Sequence, residues 1–381
     1  MLVEPRTRVA LGALSAACFV SVTSENLPVA LLPQLASGLG VADSAVGLLM
    51  TGYAAVVAVT VVPLVALTAR WDRRATALVT LGMVVVSNVV LAVAPNYGVA
   101  VAARLVAAAG HGVFWSVVAS MAARLLGPGQ GGRATAVVFA GNSLAFLFGL
   151  SVSSWLGTTL GWRVAVLAVA AVAALTALVI RVTVGQMAAL APPVRRGVVD
   201  RAQVPVNLTT LLVVTGHFAA FTYITALIAR YAHVSGSATS AVLFAHGTAG
   251  LAGLVLIGRR VDRSPRATAL VTTGGLAVCM VALLAGGPAW VSGAAIVVWA
   301  APAAGIGVVL QAAVLRVAPD RPDLASAVYI VAFQVGIAAG AALGGLAVAK
   351  GMLPVAAGIA AAGGLAAALV VRRSAAFETV K

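Results

Sequence analysis

Charge is scarce in this chain. Asp, Glu, Lys and Arg make up 9% of its 381 residues and hydrophobic residues 62%, where a soluble domain carries about a quarter charged. So little charge cannot solvate a globular surface, which excludes a disordered chain, a nucleic-acid-binding domain and a soluble enzyme. Acidic residues number only 9 and are dispersed, so the clustered carboxylates that a membrane-embedded enzyme would need are missing. The two cysteines, Cys18 and Cys279, both lie inside apolar runs, which argues against a disulfide framework. The 4 histidines are spread without metal-ligand pairing, so no metal is expected. No G-x-x-x-x-G-K-[ST] loop occurs, so no nucleotide drives the protein directly and no cofactor is expected.

What the chain has in excess is apolar length. A membrane-spanning helix needs roughly 20 apolar residues. Charge-poor runs lie near residues 9–34, 44–69, 75–94, 98–123, 134–157, 162–180, 205–229, 238–258, 267–285, 289–315, 324–349 and 351–371. They predict an all-α polytopic membrane protein with twelve transmembrane helices. Gly286-Gly287-Pro288 divides the long run between Arg266 and Arg316, and Pro95-Asn96 and Ser235-Gly236-Ser237 supply similar turns. Arg6 and Arg8 ahead of an apolar run imitate a signal peptide, but the apolar character continues through Ala36, which predicts a retained first span.

The net charge of +15 is a topology signal. With the N-terminus in the cytoplasm, 20 of the 24 basic residues fall in inner segments, Arg163, Arg230 and Lys350 lie at outer ends, and Arg104 lies within a span. This asymmetry predicts an inner (cytoplasmic) membrane protein with both termini cytoplasmic. The surplus charge would face anionic membrane lipid and not nucleic acid.

The string RATALVT occurs at residues 74–80 and again at 266–272, each copy just after an Asp-Arg pair, Asp72-Arg73 and Asp262-Arg263. The offset is half the chain, so two parallel, pseudo-symmetric six-helix halves are expected: an N-terminal half over 1–182, a cytoplasmic linker over 183–204 and a C-terminal half over 205–381.

Several segments carry a family likeness: SENLPVALLPQLASGLGV (24–41), GLLMTGYA (47–54), AGHGVFWSVVASMAARL (109–125), GWR (161–163), GHFAAFTYI (216–224), LQAAVLRVAP (310–319) and FQVGIAAGAALGG (333–345). With them the chain resembles the major facilitator superfamily, and within it the twelve-span drug:proton antiporters of the bacterial arabinose/sugar-efflux permease type. The resemblance implies the major facilitator fold and transport by alternating access. It departs from the family pattern at Ala108, Ser151, Ser153 and Thr68, where glycine or proline would be expected.

Glu25 is the one acidic residue well inside a span. An ionised carboxylate there costs at least about 2.5–3.5 kcal/mol, and a site that alternately holds a proton and a substrate is the minimal machinery of antiport. The alternative is a carboxyl bonded to Ser21 for helix packing. Arg104 shares a helical face with Ala108, His111 and Trp115, and the resemblance links a basic residue in this span to proton coupling; the alternative is snorkelling to the outer interface. His111 is a proton relay or a neutral histidine bonded between helices. Asn26, Asn142, His217, Tyr223 and Gln334 complete the candidate proton- and substrate-binding set, because lipid offers polar side chains no partner. Asp72, Arg73, Asp262 and Arg263 are candidates for a gating latch at the cytoplasmic ends. Gly336, Gly340 and Gly344 form a strip suited to close helix approach.

These features predict a proton-coupled secondary transporter, not an enzyme, that exports a small organic molecule (drug, sugar or metabolite), with protons and membrane lipid as its other partners and no obligate protein partner. The rivals are proton-coupled uptake of a sugar or nucleoside on the same fold, and a non-transporting membrane receptor or sensor. The orientation is testable after replacing both native cysteines. Cysteines in place of Gly131 and Ser264 should react with an impermeant maleimide only from the cytoplasm, and one in place of Ser237 only from outside; outside labelling at Gly131 would reverse the assignment.

Overall fold

A computed structural model describes residues 4–126, 131–188, 201–318 and 322–378. Most of the expected linker, residues 189–200, lies outside the described residues, as do residues 127–130. Among the described residues the chain is helical without strands. In chain order the helices are α1 (Pro5–Ala30), α2 (Leu32–Leu39), α3 (Asp43–Thr68), α4 (Arg73–Ala92), α5 (Tyr97–Leu126), α6 (Gly131–Leu144), α7 (Leu150–Thr159), α8 (Trp162–Thr183), α9 (Val204–Phe221), α10 (Ile224–Leu227), α11 (Ala238–Gly258), α12 (Pro265–Leu284), α13 (Ala289–Val317), α14 (Pro322–Ala349) and α15 (Leu353–Arg373). Among the described residues, eleven helices are long and apolar enough to cross a membrane. The expected fifth span is the run from α6 to α7, which a π-helical turn at Ala145–Gly149 divides into two shorter pieces.

The breaks follow local chemistry. Asp72 caps α4 by accepting the Ala75 N–H at 2.9 Å, and Asn96 caps the start of α5 by accepting the Val99 N–H at 3.0 Å. Gly286 and Gly287, at φ 74° and 145°, turn the chain into Pro288 where the sequence predicted a break. Two expected spans are interrupted. The first, expected over 9–34, is broken at Leu31, because neither Pro28 nor Pro33 can donate a backbone hydrogen bond. The seventh, expected over 205–229, breaks at Thr222–Tyr223 and finishes in a second π turn, Ile228–Ala232.

The chain divides into two compact units, Met1–Gly40 with Val59–Val194, and Val41–Ala58 with Arg195–Lys381. The same pairings recur within each. In the first, α4 packs on α5 and α8, and α1 on α8 and α6; in the second, α12 packs on α13 and α15, and α9 on α15 and α14. The repeated arginines do matching work. Arg74 donates to the carbonyls of Arg181 and Val184 at the end of α8, and Arg266 to the Ser374 carbonyl at the end of α15. Each therefore satisfies carbonyls that a helix C-terminus leaves bare, and places positive charge at the negative end of the dipole.

Small residues set the closest approaches. Gly149 and Gly157 face Thr23 and Leu31 of the first-span segment, while Gly336, Gly340 and Gly344 lie against the backbone and side chains of α9. Gly253 meets the Ala301 backbone of α13. Outward surfaces stay apolar, as at Val59 and Trp290, each 75% exposed, which suits contact with lipid. A Cβ at Gly253 has no room, so Gly253→Val should destabilise the protein by about 1–3 kcal/mol and lower its melting temperature in detergent. Gly274→Val, where nothing lies within 4 Å of the added carbon, should leave the melting temperature nearly unchanged.

Candidate functional site

The site in the first unit begins with a missing donor. Pro28 in α1 has no N–H, so the carbonyl of Ser24, four residues earlier, loses its helical partner. Arg104 of α5 supplies the replacement, donating from Nη1 to the Ser24 carbonyl at 2.8 Å and from Nη2 to the Glu25 carbonyl at 2.8 Å. Arg104 is 1% exposed. It reaches inward to α1, and snorkelling to the interface is excluded. Asn88 of α4 adds a second tie: its amide donates at 2.8 Å to the Ser24 hydroxyl and at 2.9 Å to the Val84 carbonyl. Two helices, α4 and α5, therefore converge on one weakened turn of α1.

Glu25 sits on that turn, buried with its side chain 11% exposed, and its carboxylate Oε2 lies 3.7 Å from His111 Nε2. It makes no hydrogen bond to Ser21 among the described residues. At 3.7 Å the contact with His111 is electrostatic and too long for a hydrogen bond. The same Nε2 accepts a hydrogen bond from Trp115 Nε1 at 2.9 Å. An indole N–H only donates, so this Nε2 is unprotonated and a neutral His111 carries its proton on Nδ1. The Glu25 carboxylate therefore lies beside a ring nitrogen whose lone pair is already taken by the indole N–H. The arrangement can store a proton on Glu25, or pass it to His111 if Trp115 releases the ring.

The remaining expected residues are distributed. Asn26 is buried next to Glu25 in the sequence; its amide donates to the Val22 carbonyl at 2.9 Å and its Oδ1 has no hydrogen-bond partner. Asn142 is half-buried on α6. Asp72 and Arg73 hold the segment after α8: the Asp72 carboxylate accepts the Met187 N–H at 2.5 Å, and the Arg73 N–H donates to the Met187 carbonyl at 2.8 Å. Arg6 and Arg124 join them on the carbonyls of Val182, Thr183 and Ala188.

In the second unit, Gln334 is buried on α14 with its Oε1 unpartnered. Tyr223 is fully buried, its hydroxyl 3.4 Å from the Ala341 carbonyl and close over Gly47 and Gly345. Asp262 and Arg263 are exposed. His217 of α9 belongs to a buried aromatic group with Phe221 of the same helix, His246 of α11 and Trp299 of α13.

Sequence reasoning missed Asn88 and Trp299 and left His246 out of the candidate set. A signal for one of them was present. Proline at position 28 marks the carbonyl at position 24 as needing outside donors, and a donor side chain such as Asn88 on a neighbouring span is the natural supplier. Trp299 lies one turn before Pro302 in an otherwise apolar span, and nothing in the sequence links it to α9.

Comparison with known proteins places the whole arrangement. The family model for the Major Facilitator Superfamily matches residues 14–206. A chloramphenicol efflux pump of Mycobacterium tuberculosis is 39% identical over 357 residues, covering 90% of this chain and 86% of that protein. A "Probable sugar efflux transporter" of Helicobacter pylori is 32% identical over 348 residues, covering 87% and 86%. Among solved structures, a POT family transporter in complex with 5-aminolevulinic acid superposes with a TM-score of 0.78 at 11% identity, covering 95% of this chain and 94% of that one. The fold, the matched residues and these relatives together show that the chain is a multi-pass membrane transporter belonging to the major facilitator superfamily.

Proposed function

We propose that the protein exports a small organic molecule from the cytoplasm across the inner membrane in exchange for protons, with both termini cytoplasmic and with Glu25 as the carboxyl that alternates between proton and substrate. The observation that carries this reading is the buried Glu25 carboxylate facing His111 Nε2 at 3.7 Å, on a turn fixed by Arg104. The names of its relatives, a chloramphenicol pump and sugar efflux transporters, favour export and a neutral, hydroxyl-bearing substrate. The protein performs no covalent chemistry on what it carries.

Arg104 acts in this scheme through backbone carbonyls. Its guanidinium bridges two successive carbonyls ahead of Pro28, so it sets where the Glu25 side chain leaves the helix. A proton arriving at Glu25 removes the negative member of this buried group, and a substrate hydroxyl or amide can then use the same carboxyl as a partner. Release of the proton to the cytoplasmic side resets the site. At about 150 mV one proton supplies roughly 3.5 kcal/mol, enough for a several-hundred-fold gradient. Asp72 and Arg73, holding Met187, and the exposed Asp262 and Arg263 are the proposed gating elements of the two units.

Two substitutions test the scheme. Glu25→Gln keeps the size of the side chain and mimics its protonated form; it should insert at normal levels yet abolish proton-driven accumulation of chloramphenicol in inverted membrane vesicles. Accumulation at the parental rate would remove Glu25 from coupling. Arg104→Lys keeps the charge but cannot bridge two carbonyls with one planar fork. Losing one charge-assisted hydrogen bond costs about 1.5–3 kcal/mol, so transport should fall about tenfold or more at equal protein level; near-parental transport would show that the bridge is dispensable.

A further inference from the structure

The aromatic group of the second unit contains two histidines that the coupling scheme does not use. His217 and Phe221 lie one helical turn apart on α9 and stack at 17° with centroids 5.1 Å apart. His246 of α11 stacks on Phe221 at 26° and 6.1 Å. The Trp299 ring of α13 closes edge-on against both imidazoles, at 5.4 Å from His217 and 5.3 Å from His246. Apolar packing would have been served as well by phenylalanine at both positions, so the ring nitrogens are the feature to be explained.

Their protonation pattern is fixed by their neighbours. Trp299 Nε1 lies 3.2 Å from His217 Nδ1, and an indole N–H only donates, so Nδ1 accepts and the neutral ring keeps its proton on Nε2. His246 Nδ1 lies 2.7 Å from the Ile296 carbonyl oxygen, which only accepts, so Nδ1 donates and Nε2 is left as a bare acceptor. The two rings therefore present opposite functions, an N–H on His217 and a lone pair on His246. Neither Nε2 has a hydrogen-bond partner among the described residues. The two complementary nitrogens, one a donor and one an acceptor, lie in one cluster. His217 and His246 keep 8% and 5% exposure while Trp299 and Phe221 keep 0% and 1%, so what access the group has falls on the two histidines.

We propose that His217 and His246, held in opposite tautomers by Trp299 and the Ile296 carbonyl, form a binding subsite for a neutral polar organic molecule that offers an acceptor to His217 and a donor to His246. Molecules carrying several hydroxyls, or a hydroxyl and an amide, fit this demand. Both imidazoles lie against the one Trp299 ring, at 5.4 and 5.3 Å between centroids, and the proposed subsite is one that a single small molecule spans. A permanent organic cation without hydrogen-bonding groups satisfies neither nitrogen. The proposal rests on the transporter reading above and names the substrate class of the second unit.

Equilibrium binding in detergent or nanodiscs tests it without any proton gradient, so the outcome is independent of whether Glu25 couples transport. The probes are chloramphenicol, L-arabinose and, as the cation, tetraphenylphosphonium. In protein labelled with ¹⁵N-histidine, His217 should resonate as the Nε2–H tautomer and His246 as the Nδ1–H tautomer, assigned by single replacement, and a hydroxyl-bearing probe should shift both Nε2 signals. His217→Phe and His246→Phe keep the ring stacking, and each should weaken binding of that probe about tenfold or more at unchanged melting temperature. Trp299→Phe, which removes the donor to Nδ1, should let His217 change tautomer and weaken binding again. Reversed tautomers in the parent protein, no shift of either Nε2 signal with chloramphenicol or L-arabinose, preferential binding of tetraphenylphosphonium, or parental affinity in the double Phe variant would each overturn the proposal.

Discussion

A proline in the first membrane helix removes a hydrogen bond where no water can replace it. Lipid supplies no donors, so the Ser24 carbonyl freed by Pro28 has to find one inside the protein. Arg104 meets that demand from α5, while Asn88 ties down the hydroxyl of the same serine from α4. Much of the first unit's site follows from this demand. The guanidinium is drawn to membrane depth, its charge is spread over two carbonyls, and the neighbouring Glu25 is held on a turn whose geometry is set from outside its own helix. An isolated Arg or an isolated Glu would be expensive at this depth. Together with the broken turn they make one connected buried group.

Each unit solves the same construction problem with its own residues. A polytopic helical bundle must close its helix ends and bring backbones together without a hydrophobic driving force between helices. Arg74 and Arg266, at matching places in the repeated RATALVT string, cap the last helix of their own unit. Glycines on the fifth and eleventh spans seat against the first and seventh. With the scaffold repeated, the chemistry is free to differ: one unit carries the carboxylate, guanidinium and imidazole group, and the other carries two imidazoles within an aromatic cluster.

Much of this was legible in the sequence. Twelve charge-poor runs and the half-length repeat anticipate the helices and their recurring pairings, because hydrophobic length and turn chemistry are local properties. Glu25, Arg104 and His111 were found because an ionisable residue inside an apolar run stands out, and the structure brings these three together. What stayed hidden depends on the third dimension. Asn88 looks like one more polar residue until its amide is seen on Ser24, and Trp299 looks like core until its N–H is seen on His217. The break at Leu31 was readable from Pro28 and Pro33, yet the apolar run across it suggested one continuous span. Tyr223, one of the candidate substrate-binding residues, packs over Gly47 and Gly345, a contact that its sequence position does not reveal.

The central claim is that Glu25 takes up and releases a proton as the transporter binds its substrate. Infrared difference spectroscopy of the protein in membranes reads this directly, because a protonated carboxyl in an apolar site has a carbonyl band resolved from amide and carboxylate absorption. The account predicts one such band in the substrate-free protein, reduced or shifted when chloramphenicol is added, and missing from the Glu25→Gln protein. A band that persists unchanged in Glu25→Gln, or a parent protein with no band at any pH at which it is folded, would contradict it.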